Sequence, residues 1–267
     1  MLSHEDNELL TRICGDVPMG RLMRRYWIPA LFSKQIAKPN SPPVRVQLLG
    51  EKLIAFRDTK GRLGLLDEKC PHRTASLFFG RNEECGLRCV YHGWKFDVEG
   101  KCVDLPSEPT GSDFQRKIQI KSYPCLERGG LVWAYMGPLE HKPEFPELEW
   151  AMVPESHRFV TRHIQECNWL QGLEGGFDTS HLAFLHQGTT GSNRRIVPSH
   201  YEIIPTDFGF IAGTGREVND GEVLWAANLM HMPFHKVFAT KPEAAHVWVP
   251  MDDEKTMLYS VDYWPNR

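Results

Sequence analysis

Cys70-Pro71-His72-Arg73 and Cys89-Val90-Tyr91-His92-Gly93-Trp94 decide how this chain is read. Each stretch carries one thiol and one imidazole, as Cys-x-His and Cys-x2-His, with sixteen residues between His72 and Cys89. Structural zinc sets a different pattern, with cysteines gathered in one pair and histidines in another, as in C-x2-C followed by H-x3–5-H. Here each pair is mixed. Gly93, set among aromatic residues, suits a loop tip whose backbone N–H groups face sulfur.

Two thiolates and two imidazoles delivered in this way are the ligand set of a [2Fe–2S] centre of Rieske type, whose cysteines hold one iron and whose histidines hold the other. The sequence therefore predicts two hairpin tips clamping a cluster, with Cys70 and His72 on one tip and Cys89 and His92 on the other. Iron and acid-labile sulfide content separates this reading from a single zinc ion.

The 267 residues give one to two domains and enough chain for a sizeable core. Hydrophobic residues at 41 % and charged residues at 24 % are ordinary for a globular protein. A formal charge of −3 offers no basic field, so nucleic acid is not an expected partner. No apolar run is long enough to span a bilayer. The opening Met1-Leu2-Ser3-His4-Glu5-Asp6-Asn7 lacks the cationic flank of a signal peptide. Cys14, Cys85, Cys102, Cys125 and Cys167 are expected as reduced thiols, which places the protein in the cytoplasm.

Ser3 and Asp6 ahead of Leu9, Leu10 and Ile13 predict a capped helix over 4–14, and Pro18 opens a second helix reaching Tyr26. Arg21, Arg24 and Arg25 are expected on a solvated or interface face of it. From Pro39 the pattern turns to strands: 44–48, 52–57, 62–66, 95–97, 101–104, 117–123 and 131–136, separated by turn residues. Three domains are expected: a helical segment at 1–38, a small antiparallel sandwich carrying the cluster at 39–138, and a third at 139–267. The third opens on a linker holding Pro138, Pro143, Pro146 and Pro154. Strands are expected there at 158–164, 201–204, 208–212, 222–229, 236–240, 245–249 and 257–263.

A second metal candidate lies at 168–186, Asn168-Trp169-Leu170-Gln171-Gly172-Leu173-Glu174-Gly175-Gly176-Phe177-Asp178-Thr179-Ser180-His181-Leu182-Ala183-Phe184-Leu185-His186. Two histidines with a nearby carboxylate suit a mononuclear non-haem iron(II) site with open positions. On a regular helix the five steps from His181 to His186 put the rings roughly 140° apart. A π-bulge, or a helix end between Leu182 and Leu185, is then required to bring them together. Asp178, three residues before His181, is expected on the same helix face, oriented to accept from a ligand histidine. Without metal, the two histidines would simply pack beside Phe177 and Phe184.

These motifs together resemble the oxygenase component of Rieske non-haem iron aromatic oxygenases, in the phthalate 4,5-dioxygenase-like group. The Met1-Leu2-Ser3-His4-Glu5-Asp6-Asn7 opening and Pro18-Met19-Gly20-Arg21 resemble that group as well. The resemblance implies an α+β chain, with an antiparallel Rieske domain followed by a helix-grip catalytic domain. It implies a reductase using NAD(P)H, flavin and its own [2Fe–2S] centre as electron donor to Cys70, His72, Cys89 and His92. Asp178 would bridge to the Rieske histidine of a neighbouring subunit, which implies a head-to-tail homotrimer or higher ring. Iron(II) on His181 and His186 would use O2 to dihydroxylate, hydroxylate or O-demethylate an aromatic substrate.

The family's third iron ligand is an aspartate far beyond the second histidine. Asp252, Asp253 and Asp262 fall too early for it, and Asp252-Asp253-Glu254 reads as a turn. The chain is accordingly expected to stop inside its catalytic domain, or to have the remainder elsewhere. Arg194 and Arg195 read as part of a solvated loop, with pairing to a substrate carboxylate as the other reading. A Rieske electron carrier without oxygen chemistry is the competing reading; it would need only the sandwich.

Overall fold

Ser3 Oγ accepts from the backbone N–H of Asp6 at 3.0 Å and donates to the Asp6 carboxylate at 2.7 Å. This cap satisfies an orphan donor and opens helix α1 (His4–Thr11). The computed structural model describes residues 2–109, 113–186, 198–219, 221–238 and 243–265. The chain forms two units, Arg12–Met152 and Met1–Thr11 with Val153–Arg267.

In the unit Arg12–Met152, Pro18 opens α2 (Pro18–Met23), which stops three residues short of the expected Tyr26. The next residues form a strand, β1 (Trp27–Phe32), within a segment expected to be helical. Its Pro29 sits at a register shift on a strand paired along one edge only, where a missing N–H is tolerated. Arg24, expected on a solvated or interface face, bonds Glu51 at 2.7 Å.

A three-stranded meander follows: β2 (Val44–Leu48), β3 (Glu51–Arg57) and β4 (Leu63–Asp67), in the order β2-β3-β4. A second sheet holds β5 (Arg81–Glu83), β6 (Gly86–Arg88), β7 (Lys95–Phe96) and β8 (Cys102–Asp104) in sequence order. A third places β10 (Leu131–Tyr135) between β1 and β9 (Cys125–Arg128). All five residues of β10 are buried, and Trp133 packs against Phe145 and Trp150, with ring centroids 4.9 and 5.8 Å away. Helix α3 (Glu149–Met152) closes this unit.

Residues 117–123, expected as a strand, touch two sheets through single bridges, Lys101 to Gln119 and Leu66 to Ser122. The backbone there crosses from one sheet to another, so no continuous ladder forms. The core around the Cys70 and Cys89 loops is apolar: Ile54, Phe56, Leu66, Leu77, Leu87, Trp94 and Phe96 pack with Cys70 and Cys89.

In the other unit, β11 (Arg158–Gln165) leads to helix α4 (Trp169–Phe177). Five strands follow: β12 (His200–Thr206), β13 (Gly209–Asn219), β14 (Glu222–His231), β15 (His235–Phe238) and β16 (Glu243–Pro250), then β17 (Thr256–Tyr263). They form one antiparallel sheet in the order β11-β17-β16-β15-β14-β13-β12. Asp252, Asp253 and Glu254 lie in the turn between β16 and β17, where Asp252 Oδ1 accepts the N–H groups of Glu254 and Lys255.

Helix α4 lies directly on the sheet because two of its glycines face one indole. A Cβ on Gly172 or Gly176 would come within 2.7 or 2.5 Å of the Trp248 ring. The architecture is α+β, an antiparallel unit carrying the Cys70 and Cys89 loops and an antiparallel sheet with a helix on one face. Among the described residues no helix is long and apolar enough to cross a membrane.

Candidate cluster and mononuclear iron sites

The loops at Cys70 and Cys89 are built alike. Cys70 N–H donates to the Ala75 carbonyl at 2.9 Å, and Cys89 N–H to the Trp94 carbonyl at 2.8 Å, each five residues on. The Cys70 carbonyl accepts from Thr74 N–H and the Cys89 carbonyl from Gly93 N–H, each four residues on. The fourth residue after each cysteine has positive φ, 56° at Thr74 and 78° at Gly93. That reversal lets two residues of each loop face one point. At Gly93 a Cβ would also meet Pro106 at 2.7 Å, so glycine suits both the turn and the packing.

The four candidate ligands come together at these tips. The rings of His72 and His92 lie 4.5 Å apart, and His72 stacks on Trp94 at 4.5 Å and 5°. Cys70 and Cys89 are both buried. Burial, with Cys89 as a neighbour, pushes the Cys70 thiol up to about 11. Buried His72 Nδ1 has no hydrogen-bond partner, an orphan that a metal would satisfy. Among the described residues no three or more His, Cys, Asp or Glu converge as a ready site for one ion. A two-iron cluster divides its ligands two and two, and these donors fit it.

Behind the second loop, Arg88 is a hub. Its Nη1 donates to the Gly93 carbonyl at 2.7 Å and pairs with Asp104 at 2.7 Å, while Nε pairs with Glu83 at 2.6 Å. Its Nη2 also lies 3.7 Å from Glu84. Sequence reading gave Arg88 no role, since its partners are scattered along the chain.

At the second candidate site, Asn168 caps α4: its Oδ1 accepts Leu170 N–H at 3.0 Å, and its Nδ2 donates to the carbonyls of Thr11 and Asp253. The helix ends at Phe177. Asp178 is its C-cap, and His181 sits in a separate 3-10 turn, Ser180–Ala183. Asp178 and His181 therefore do not share a helix face, as the spacing had suggested. The α-helix breaks before His181, and the 3-10 turn that carries His181 ends at Ala183, between Leu182 and Leu185 as expected; the His181 and His186 rings lie 5.3 Å apart at 63°.

Asp178 Oδ1 accepts Ser180 N–H at 2.8 Å, and its Oδ2 lies 3.3 Å from His181 Nδ1. An acceptor at Nδ1 leaves Nε2 to face a metal. Two imidazoles with neighbouring carboxylate support fit iron(II), leaving a further carboxylate ligand to be supplied. Asp252, Asp253 and Asp262 do not line this site; Asp178 is the acid among its described lining residues.

The corner opens on a cavity of about 560 Å3, lined also by Thr214, Arg216, Asn228, Lys236, Phe238 and His246. Those residues stand at alternate positions on β13 to β16 and so share one face. Sequence reading missed them, although a lysine in the short strand His235-Lys236-Val237-Phe238 was a visible signal. Arg194 and Arg195 lie outside the described residues.

Two family models match the chain. Residues 26–124 match the Rieske [2Fe-2S] domain and residues 134–198 the LigXa C-terminal domain like family. The chain is a Rieske protein whose cluster domain is joined to a catalytic-type domain. More particularly, it belongs with the oxygenase subunits of the phthalate 4,5-dioxygenase-like Rieske oxygenases.

It is 44 % identical to the 3-chlorobenzoate-3,4-dioxygenase oxygenase subunit of Comamonas testosteroni, over 96 % of this chain and 62 % of that protein. It is 48 % identical to the phthalate 4,5-dioxygenase oxygenase subunit of Pseudomonas putida, over 70 % of this chain and 42 % of that one. With the 5,5'-dehydrodivanillate O-demethylase oxygenase subunit of a Sphingobium species it shares 37 % identity, over 96 % and 62 %. The chain thus spans less than two thirds of the length of these relatives.

Dicamba monooxygenase bound to dicamba has the same fold, with a TM-score of 0.73 at 18 % identity, covering 91 % of this chain and 78 % of that one. An oxygenase and ferredoxin complex of carbazole 1,9a-dioxygenase aligns with a TM-score of 0.67 at 21 % identity, over 90 % and 72 %. The Rieske domain implies a [2Fe–2S] cluster, and the oxygenase relatives use mononuclear iron.

Proposed function

We propose that this chain is the electron-accepting and iron-binding part of a terminal oxygenase that hydroxylates or O-demethylates an aromatic, carboxylated substrate. The observation that carries the reading is the His181 and His186 corner, with Asp178 at its side, opening on a cavity large enough for a small aromatic molecule. An electron carrier would have no use for such a corner.

In this reading Cys70, Cys89, His72 and His92 hold the cluster and His181 and His186 hold iron, which together supply one-electron transfer and O2 activation. The chain's own residues do the rest. Asp178 keeps the His181 proton on Nδ1, and the sheet face from Thr214 to His246 shapes the substrate's bed. The exposed Asp178 carboxylate would also receive a Rieske histidine from the next subunit of a head-to-tail trimer. An NAD(P)H-dependent reductase, or a ferredoxin such as the one in the carbazole 1,9a-dioxygenase complex, would supply electrons.

The test uses full-length protein with such a reductase, a panel of aromatic acids, O2 uptake and product analysis. His181→Ala should abolish turnover while the iron–sulfur spectrum persists. Turnover that survives in that variant would refute the assignment.

A further inference from the structure

Lys236 is the most unusual charge in the cavity. It projects from β15 with only 3 % of its surface exposed, and lysine is almost never so buried without a partner for its charge. Its Nζ donates to the Gly176 carbonyl in the last turn of α4 and lies over the Phe238 and Phe177 rings at 3.8 and 5.1 Å.

Those contacts are a neutral carbonyl and two π faces. Among the described residues no carboxylate lies within ion-pair distance of Lys236. Arg216 lines the same cavity and likewise has no acid partner among them. Asp178, the acid among the described lining residues, is turned to Ser180 and His181. The cavity therefore holds two cations on the sheet side and its one described carboxylate at the histidine corner.

We propose that Lys236 anchors a carboxylate carried by the aromatic substrate, with Arg216 as a second cationic contact. An anion entering the cavity would complete an ion pair that the fold leaves open, and the Phe238 ring beside the ammonium would meet the substrate's apolar body. The anchor lies on the sheet and the candidate iron ligands lie beyond the end of α4, so the acid group would fix which ring edge faces the metal. Burial lowers the Lys236 pKa to about 8, which leaves the ammonium charged at neutral pH. The proposal rests on the oxygenase reading above and adds to it the residue that selects the substrate class.

The competing role for Lys236 is structural, a cation at the C-terminal carbonyls of α4. Calorimetric titration of full-length, iron-loaded protein separates the two roles, with benzoate and phthalate as probes and each acid's carboxamide beside it. The wild type should prefer acid over amide. Lys236→Met should weaken the acids by about 10- to 100-fold, the loss of a charge-assisted hydrogen bond, and the amides by less than about twofold. Lys236→Arg, which keeps the charge and can still reach the helix carbonyl, should restore part of the preference.

Equal losses for acid and amide would assign Lys236 to helix capping and overturn the proposal. So would a wild type that shows no preference for the acids, or does not bind them. The oxygenase reading fails by a separate measure: no substrate-coupled O2 uptake with any aromatic, charged or neutral.

Discussion

Asp178 Oδ2 stands 3.3 Å from His181 Nδ1, across the turn that ends α4. The Ser180 N–H holds the Asp178 carboxyl below its ordinary range; His181 adds to this, and the two outweigh partial burial. The carboxylate thus stays ionised and keeps a histidine tautomer suited to metal binding. Asp178→Asn should weaken iron binding at His181 and His186 by about 10- to 100-fold and leave the cluster spectrum unchanged. Metal analysis after dialysis at limiting Fe(II) checks this, and full iron retention would count against it.

Gly176 allows α4 to touch the Trp248 indole. A Cβ at 2.5 Å from that ring must lift the helix or turn the indole. Gly176→Ala should cost about 1–3 kcal/mol of stability and weaken iron uptake at the adjoining corner. Gly175→Ala, which meets nothing within 4 Å, should be neutral or stabilising by up to about 1 kcal/mol. Urea denaturation of the pair gives the comparison; similar midpoints for the two variants would refute close packing.

Arg88 ties the second cluster loop to two acids. Arg88→Met would strand the Gly93 carbonyl and Asp104 and leave Glu83 to Arg81 alone. The expected cost is about 1–3 kcal/mol, toward the lower end because both acids are partly exposed. Visible absorbance should also bleach faster in the presence of a chelator. Arg88→Lys should recover only part of this, since one ammonium cannot hold the carbonyl and both acids in the same fork. A bleaching rate equal to wild type would remove Arg88 from any part in holding the loop.

Glu51 gathers Lys121 at 2.8 Å, Tyr123 at 2.6 Å and Arg24 at 2.7 Å. Burial alone would raise its pKa, but the Lys121 and Tyr123 hydrogen bonds and the Arg24 charge bring it below the ordinary value. A carboxyl depressed in the folded state contributes stability above its unfolded pKa of about 4.3, and that contribution disappears as pH falls through the folded value. Glu51→Gln should lower stability at neutral pH and flatten the loss toward acid. Urea midpoints along a pH series check both; an unchanged acid limb would show that Glu51 is not a source of it.

Much of this was legible from residue order. The mixed Cys and His pairs announced two like loops because cluster chemistry imposes the ligand types directly. The alternating strands from Tyr201 to Tyr263 were equally plain. Other elements lacked their usual signals. The hairpin joining β5 and β6 turns at Glu84 and Cys85, both at positive φ, where Asn-Gly would have given notice. Strand β1 was hidden by Pro29, which is tolerated there because of how the strand pairs. The end of α4 at Phe177 follows from Asp178 bonding Ser180, a local capture that helical spacing does not reveal. Lys236 was named only as part of a strand, because its importance comes from what three neighbouring strands and a helix end place around it.

The matched loops at Cys70 and Cys89 carry one further consequence. If cysteines serve one iron and histidines the other, each loop would own half of each iron's protein ligands and neither could retain a whole atom alone. Placement of the two lips and retention of the inorganic core would then be coupled, since a displaced loop leaves both irons half-held.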